Sequence, residues 1–377
     1  MNYLDTFYTS YSDYKETSLS GRYIHLEQIE PLLSFYKDLF QIEILGDSVD
    51  GKPIHGITLG KGSNRILMWS QMHGNESTTT KAVFDLLKYI KDNNDFRAYL
   101  MDHFTICIIP MLNPDGALAY TRVNSNAIDL NRDAQDRSQP ESKILRNVFE
   151  YFKPDFCFNL HDQRTIFSVG KSPLPATVSF LTPAEDKERT VTEQRKRSME
   201  IIGVMNQFLQ NHIPGQVGRY DDGYNINCIG DTFQSAQVPT ILFESGHYQE
   251  DYEREQTRMY IASSIVCALD YIGHSPIKGT HYKSYFEIPE NDKLFCDVLL
   301  KNFPILDDGG VELMDVAILF KESLRNGKLE FVPTIEGIQR DLKFYGHKEF
   351  DMNKIEMSAI EKYEINEAFL TKLLRKI

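Results

Sequence analysis

No apolar stretch of the 377-residue chain approaches the roughly 20 residues needed to cross a bilayer. The N-terminal MNYLDTFYTSYSDYKETS has no basic segment leading into an apolar core, so neither a signal peptide nor a membrane partner is expected. Positive charge is in deficit: 41 Lys and Arg against 54 Asp and Glu leave a formal net charge of −13, which disfavours nucleic acid or an anionic lipid surface as a partner. The one basic run, Lys187–Arg197 (KERTVTEQRKR), is interleaved with glutamates and reads as a solvated helix face. Cysteines are few, odd in number and far apart: Cys107, Cys157, Cys228, Cys267 and Cys296. Most stand in apolar contexts such as ICII and FCF. They exclude a disulfide frame or a zinc ribbon and suit buried thiols in a reducing compartment, so the expected location is cytoplasmic. Repeats and low-complexity segments are lacking too.

What is there is a soluble globular composition, 41% apolar and 25% charged, at a length that allows one large domain or two ordinary ones. Helical spacing over Leu26–Phe40 is followed by an alternating stretch, Glu43–Leu59, around the turn signal Asp50-Gly51. The run Ile66–Trp69 predicts a buried strand, and Thr78–Ile90 an amphipathic helix with Val83, Phe84, Leu86, Leu87 and Ile90 on its buried side. Phe104–Pro110, Asp155–Leu160 and Thr240–Phe243 are further apolar runs of the kind buried on both faces of a sheet. Between them lie a loop to Asp136 and helical patterns over Glu141–Phe152, Glu188–His212 and Arg254–Ile272. This alternation predicts an α/β fold, a mostly parallel mixed sheet flanked by helices. Near His274–Lys278 (HSPIK) the pattern changes to short strands (Lys293–Leu300, Val316–Phe320, Leu329–Pro333), an Asp307-Asp308-Gly309-Gly310 turn and a helix over Glu361–Lys376. Residues 1–275 are expected to form the main domain, and 276–377 a small mixed, β-leaning accessory domain.

Chemistry-bearing residues fall repeatedly at the ends of the predicted strands, where open α/β sheets place their sites. His73 and Glu76 stand at a strand-to-helix elbow, three apart, and can bind one metal ion from the same side of a turn. A catalytic zinc needs a third ligand and an open position. Of ten histidines, His161 ends an apolar strand in NLHDQ; alone it could be a hydrogen-bonded histidine at a strand end. Glu244 follows TILF, where a carboxylate near a metal is placed to take a proton from water, or else to serve as an ion-pair partner or helix cap. Arg122 and Arg132, in IPMLNPDGALAYTRVNSNAIDLNRD, carry forks suited to carboxylates and polarised carbonyl oxygens, although either could be an ordinary loop arginine.

HGNE, MLNPDG, TRVNSNAIDLNR, NLH and ILFESG, in that order over roughly Ile44 to Tyr271, resemble the zinc carboxypeptidases of the carboxypeptidase A superfamily, especially the bacterial and cytosolic branches. By that resemblance His73, Glu76 and His161 bind one zinc ion per chain, Arg122 stabilises the oxyanion, and Glu244 is the general base and acid. Asn131 and Arg132 match the pair that grips the terminal carboxylate of a peptide, and Tyr224 is taken as the mobile tyrosine. Asn75 stands where the digestive enzymes have arginine, and HGNE is also the form seen in aspartoacylase-like and succinylglutamate desuccinylase-like enzymes. The resemblance therefore implies a peptide substrate with a free carboxylate, with an N-acyl amino-acid substrate as the alternative and an inactive peptide-binding module as a third. NPDG and TRVNSN favour the peptidase. The oligomeric state is open.

Overall fold

The computed structural model describes residues 3–307, 309–355 and 358–376. The chain divides into two compact units, Met1–Gln163 with Ala176–Asn291, and Arg164–Pro175 with Asp292–Ile377. The first unit thus runs past the HSPIK composition break.

The first unit is built on eight strands: β1 (Gln41–Asp47), β2 (Pro53–Gly60), β3 (Asn64–Ser70), β4 (Phe104–Ile109), β5 (Phe156–Asp162), β6 (Val178–Leu181), β7 (Val217–Arg219) and β8 (Thr240–Ser245). Their order is β1-β2-β4-β3-β5-β8-β6-β7. The central four, β4, β3, β5 and β8, run parallel, while β1, β2 and β6 are antiparallel to their inner neighbours. The expected fold class holds. Every residue of β5 and β8 is buried, as their unbroken apolar runs require of strands covered on both faces. On β3 the two-residue period divides the side chains between two cores. Ile66 and Met68 pack with Val83, Phe84 and Leu87, and Leu67 and Trp69 with Leu145, Phe149 and Phe233.

The helices are α1 (Tyr3–Thr9), α2 (Tyr11–Tyr14), α3 (Leu26–Tyr36), α4 (Thr78–Asp92), α5 (Asn94–His103), α6 (Pro114–Ala119), α7 (Pro140–Phe152), α8 (Glu193–Gln210), α9 (Ile229–Ser235) and α10 (Glu255–His274). Five of them, α1, α2, α5, α6 and α9, were not expected. Helix α5 continues almost directly from α4, because the Asn93 side chain caps it on the Phe96 N–H after a single extended residue. Helix α6 interrupts the predicted loop; Asn113 caps it through the Gly116 N–H at 2.8 Å, with Pro114 at its first position. Helix α3 stops at Tyr36, short of Phe40, to let β1 begin.

In the second unit β9 (Phe295–Asp307), β10 (Gly310–Arg325), β11 (Lys328–Gln339) and β12 (Tyr345–Asp351) form a sheet in the order β11-β10-β9-β12, with β13 (Ile360–Glu361) also pairing β9. The strands are longer than their apolar cores suggested, since each continues into polar, half-exposed stretches held by antiparallel pairing. A final helix, α11 (Glu367–Leu374), sets Leu370 and Leu373 against Val298, Leu300, Phe303 and Ile318 and is shorter than its pattern predicted. Asp308 of the expected turn lies outside the described residues.

One buried ion pair ties the first unit's N-terminal segment to its helices. Arg258 of α10 donates Nε–H to Asp85 Oδ2 at 2.7 Å and Nη2–H to Oδ1 at 2.5 Å, and Tyr11 Oη–H donates to the same carboxylate at 2.7 Å. The remaining guanidinium protons reach the carbonyls of Glu16 and Leu19 at 2.7 and 2.6 Å and Glu255 Oε2 at 3.2 Å. Both charged side chains are fully buried. Removing one partner strands the other in a low dielectric, so Asp85→Ala is expected to cost about 3–5 kcal/mol in urea unfolding. A second test follows from Asp231 in the first turn of α9, whose carboxyl burial pushes up to about 7. The unfolded chain titrates near ~3.9, so the folded state holds this proton more tightly between the two values. Its stabilising contribution is complete below pH ~4 and is lost as pH rises through about 7. Asp231→Asn should therefore gain urea stability over the parent between pH 4 and 8; a gain independent of pH would show that the group titrates normally.

Candidate metal centre

Between β3 and α4 the chain turns through Gln71–Ser77, and this elbow is held from three sides. Gln71 adopts φ 50°, a left-handed backbone uncommon outside glycine. Its side chain fixes the turn by donating to Gly74 O at 2.9 Å and Ile24 O at 2.7 Å and accepting from Thr80 Oγ1 at 2.9 Å. Gly74 lies directly on α6: a Cβ there would come within 1.9 Å of the Gly116 carbonyl carbon. Asn113, besides capping α6, donates from Nδ2 to Met72 O at 3.2 Å. The glycine of HGNE and the NPDG motif are thus two halves of one packing contact.

The elbow presents His73 and Glu76 to His161, the penultimate residue of β5. His73 Nδ1 lies 2.8 Å from Glu76 Oε1, His161 Nδ1 lies 2.8 Å from Glu76 Oε2, and the two Nδ1 atoms are 3.1 Å apart. All three residues are buried. Two imidazole nitrogens and a carboxylate lie there within 4.8 Å of one another, a group able to hold a metal ion and of the residue types that bind catalytic zinc. The far nitrogen of His73, Nε2, donates to Asp129 Oδ1 at 3.1 Å, which fixes the tautomer that leaves Nδ1 free for a metal and raises its basicity. Burial opposes charge on Glu76, but the imidazoles beside it hold its carboxyl well below the usual range.

Glu244 follows from strand pairing. In the parallel ladder of β5 and β8 it is the direct partner of His161. It is buried, with Oε2 making no hydrogen bond, and burial together with the charges of Glu76 and Asp162 pushes its carboxyl well above the usual range. Such a group holds a proton readily, which suits it to general acid and base work. Arg122, half exposed, donates Nε–H to Asp129 Oδ2 at 2.9 Å and aims Nη1 at Glu76 Oε1, 3.3 Å away. A guanidinium fork in that position is suited to pair with a carboxylate or a polarised carbonyl oxygen.

Asn131 and Arg132 belong to a single helical turn, Leu130–Arg132, capped by Asp129, whose Oδ1 accepts the Asn131 N–H at 2.9 Å. Asn131 Oδ1 accepts the Ile229 N–H at 2.9 Å, and Arg132 Nη1 lies 3.1 Å from Cys228 Sγ. The structure therefore brings His73, Glu76, His161, Arg122 and Glu244 together and joins Asn131 and Arg132 to them through Asp129. Tyr224 has no hydrogen bond to this group among the described residues. Tyr220, four residues earlier, is the tyrosine whose phenol is pushed up, first by burial and then by the charges of Glu244 and Glu76. Sequence reasoning passed over Asp129 and Tyr220. Asp129 carried a signal, as the carboxylate that opens DLNR; the two tyrosines of YDDGY were separable only by the fold.

Comparisons with known proteins agree with this geometry. Residues 26–147 match the sequence profile of the family described as zinc carboxypeptidase. Carboxypeptidase 2 of Trichophyton tonsurans is 26% identical over 112 residues, 29% of this chain and 20% of that protein. An uncharacterized protein of Zymomonas mobilis is 30% identical over 154 residues, 38% of this chain and 39% of its own length. The chain thus spans about a fifth of the length of the fungal relative it matches. Among solved structures, a metallo-carboxypeptidase from Burkholderia cenocepacia superposes with a TM-score of 0.53 at 18% identity, covering 65% of this chain and 69% of that one. The chain is identified as similar to the zinc carboxypeptidase family, in sequence over residues 26–147 and in fold over 65% of its length.

Proposed function

We propose that the chain is a zinc-dependent metallocarboxypeptidase that hydrolyses the amide bond next to a free C-terminal carboxylate. The observation that carries this reading is the convergence of His73 Nδ1, His161 Nδ1 and the Glu76 carboxylate, with Glu244 paired beside His161 on the next strand. One zinc ion held by these three residues would supply Lewis acidity and a water of lowered pKa. Glu244, buried and with Oε2 free of hydrogen bonds, would hold and move the proton that passes between the attacking water and the leaving amine. Arg122 meets the negative charge that develops on the carbonyl oxygen; such preorganised donors are worth several kcal/mol in a buried site. Asn131 and Arg132 orient the terminal carboxylate, and of the two tyrosines of YDDGY it is Tyr220 whose phenol lies within reach of the charges of Glu244 and Glu76. The second unit, Arg164–Pro175 with Asp292–Ile377, serves as an accessory domain. Free thiols at all five cysteines, four of them buried, support a cytoplasmic location.

An N-acyl amino-acid deacylase would use the same groups, with Asn75 between the ligands. Peptides with a free C-terminus separate the readings. They should be cleaved at least ~100-fold faster than their amides, and faster than N-acetyl or N-succinyl amino acids, because only they offer Arg132 a carboxylate while filling the acyl side. Equal cleavage of free and amidated peptides would remove the carboxylate-directed reading. Glu244→Gln is expected to retain zinc and lose roughly 10²–10⁴ in turnover, and unchanged turnover would take Glu244 out of the mechanism.

A further inference from the structure

His161 is followed by a second buried polar residue that the reaction itself does not use. Asp162 ends β5 with 7% of its surface exposed, and both its carboxylate oxygens are engaged. Oδ2 accepts the Thr78 N–H at 3.0 Å and the Thr78 hydroxyl at 2.6 Å. Oδ1 accepts the Ser245 hydroxyl, and the Asp162 backbone N–H donates to Glu76 Oε2 at 3.2 Å. Thr78 and Ser245 are fully buried. Arg254, also buried, places Nη1 3.9 Å from Oδ2 while donating to Ser245 O and Gln163 O.

Each of these partners is a close neighbour of a site residue. Thr78 opens α4, two residues after Glu76, and its N–H, one of those a helix start leaves without an intrahelical partner, is taken by a carboxylate from another strand. Ser245 follows Glu244 on β8, and Asp162 itself follows His161 on β5. A buried carboxylate costs more than a packed apolar residue unless its bonds are needed. We propose that Asp162 is a positioning residue that clamps α4, β5 and β8 together at their ends and so sets the distances among Glu76, His161 and Glu244. It complements Asp129, which orients His73 from the opposite side.

This inference rests on the zinc reading above, and the experiment separates the two. Zn2+ affinity is measured by competition with a chromophoric chelator on the full chain, alongside the visible spectrum of the Co2+-loaded protein and steady-state kinetics. Asp162→Ala is expected to weaken Zn2+ binding roughly 10–100-fold, the range found for lost outer-shell partners, to alter the Co2+ spectrum, and to lower kcat more than it raises KM. Asp162→Asn keeps an acceptor for the Thr78 N–H and offers an N–H to the Ser245 oxygen, so it should restore most of the affinity; a purely structural carboxylate would show no such rescue at equal unfolding midpoint. Should Asp162→Ala not fold, Thr78→Val and Ser245→Ala each delete one bond of the clamp and should each weaken Zn2+ binding by a smaller factor. Zn2+ affinity within about twofold of the parent in the folded variants would overturn the clamp, given the 10–100-fold expectation. A parent protein that binds no Zn2+ would overturn the metal reading, and the clamp with it.

Discussion

Parallel pairing of β3, β5 and β8 is the constraint on which the site depends. Parallel strands in register end on the same edge, so the residues that close the three apolar runs are delivered to one place. Ser70 of β3 pairs Leu160 of β5, and His161 pairs Glu244 of β8. A slip of one residue in the β5–β8 register would turn Glu244 to the opposite face from His161. The strands resist that slip because their side chains are committed to cores on both faces. Leu67 and Trp69 cannot exchange places with Ile66 and Met68 without moving two packed clusters.

Three carboxylates crowd this edge of the sheet: Glu76, Asp162 and Glu244 are all buried, with Asp129 beside them, half-buried. Arg122 and Arg254 offset part of that charge, Arg122 from solvent and Arg254 from within. The two arginines do not reach Glu244 Oε2, which stays without a hydrogen bond. Glu76 is paired with two imidazoles, whereas Glu244 is buried beside other carboxylates with Oε2 unbonded, and the proton affinities of the two shift in opposite directions. A divalent cation on the three converging donors would be the largest charge in the region and would further stabilise the ionised carboxylates around it.

The sequence disclosed what periodicity and apolar runs encode. Strands β3, β4, β5 and β8 were legible because each is an unbroken hydrophobic run, and His73, Glu76, His161 and Glu244 because each stands at the end of one. Helix α6 was hidden since a six-residue helix capped by Asn113 shows no period. The roles of Asp129 and Asp162 depend on partners 56 and 84 residues away, His73 and Thr78, and no local pattern announces a hydrogen bond of that kind. Tyr220 and Tyr224 share one short polar stretch, and which of them feels the buried carboxylates is decided by how β7 leads into the loop before α9.

The elbow itself shows why a short motif needs so much of the chain behind it. A non-glycine residue at φ 50° costs of order 1–3 kcal/mol, so Gln71 would relax to an extended conformation unless its side chain were bonded on every side. Two of the supporting oxygens come from the N-terminal segment: Ile24 O accepts from Gln71, and Arg22 O accepts from the Ser77 hydroxyl. That segment is in turn held by Arg258 through the carbonyls of Glu16 and Leu19. The path from the buried Asp85–Arg258 pair to the two ends of HGNE is thus a continuous set of hydrogen bonds and covalent links. Residues 11–25 act as a strap behind the ligands, and the geometry of His73 and Glu76 depends on a stretch that carries no ligand of its own.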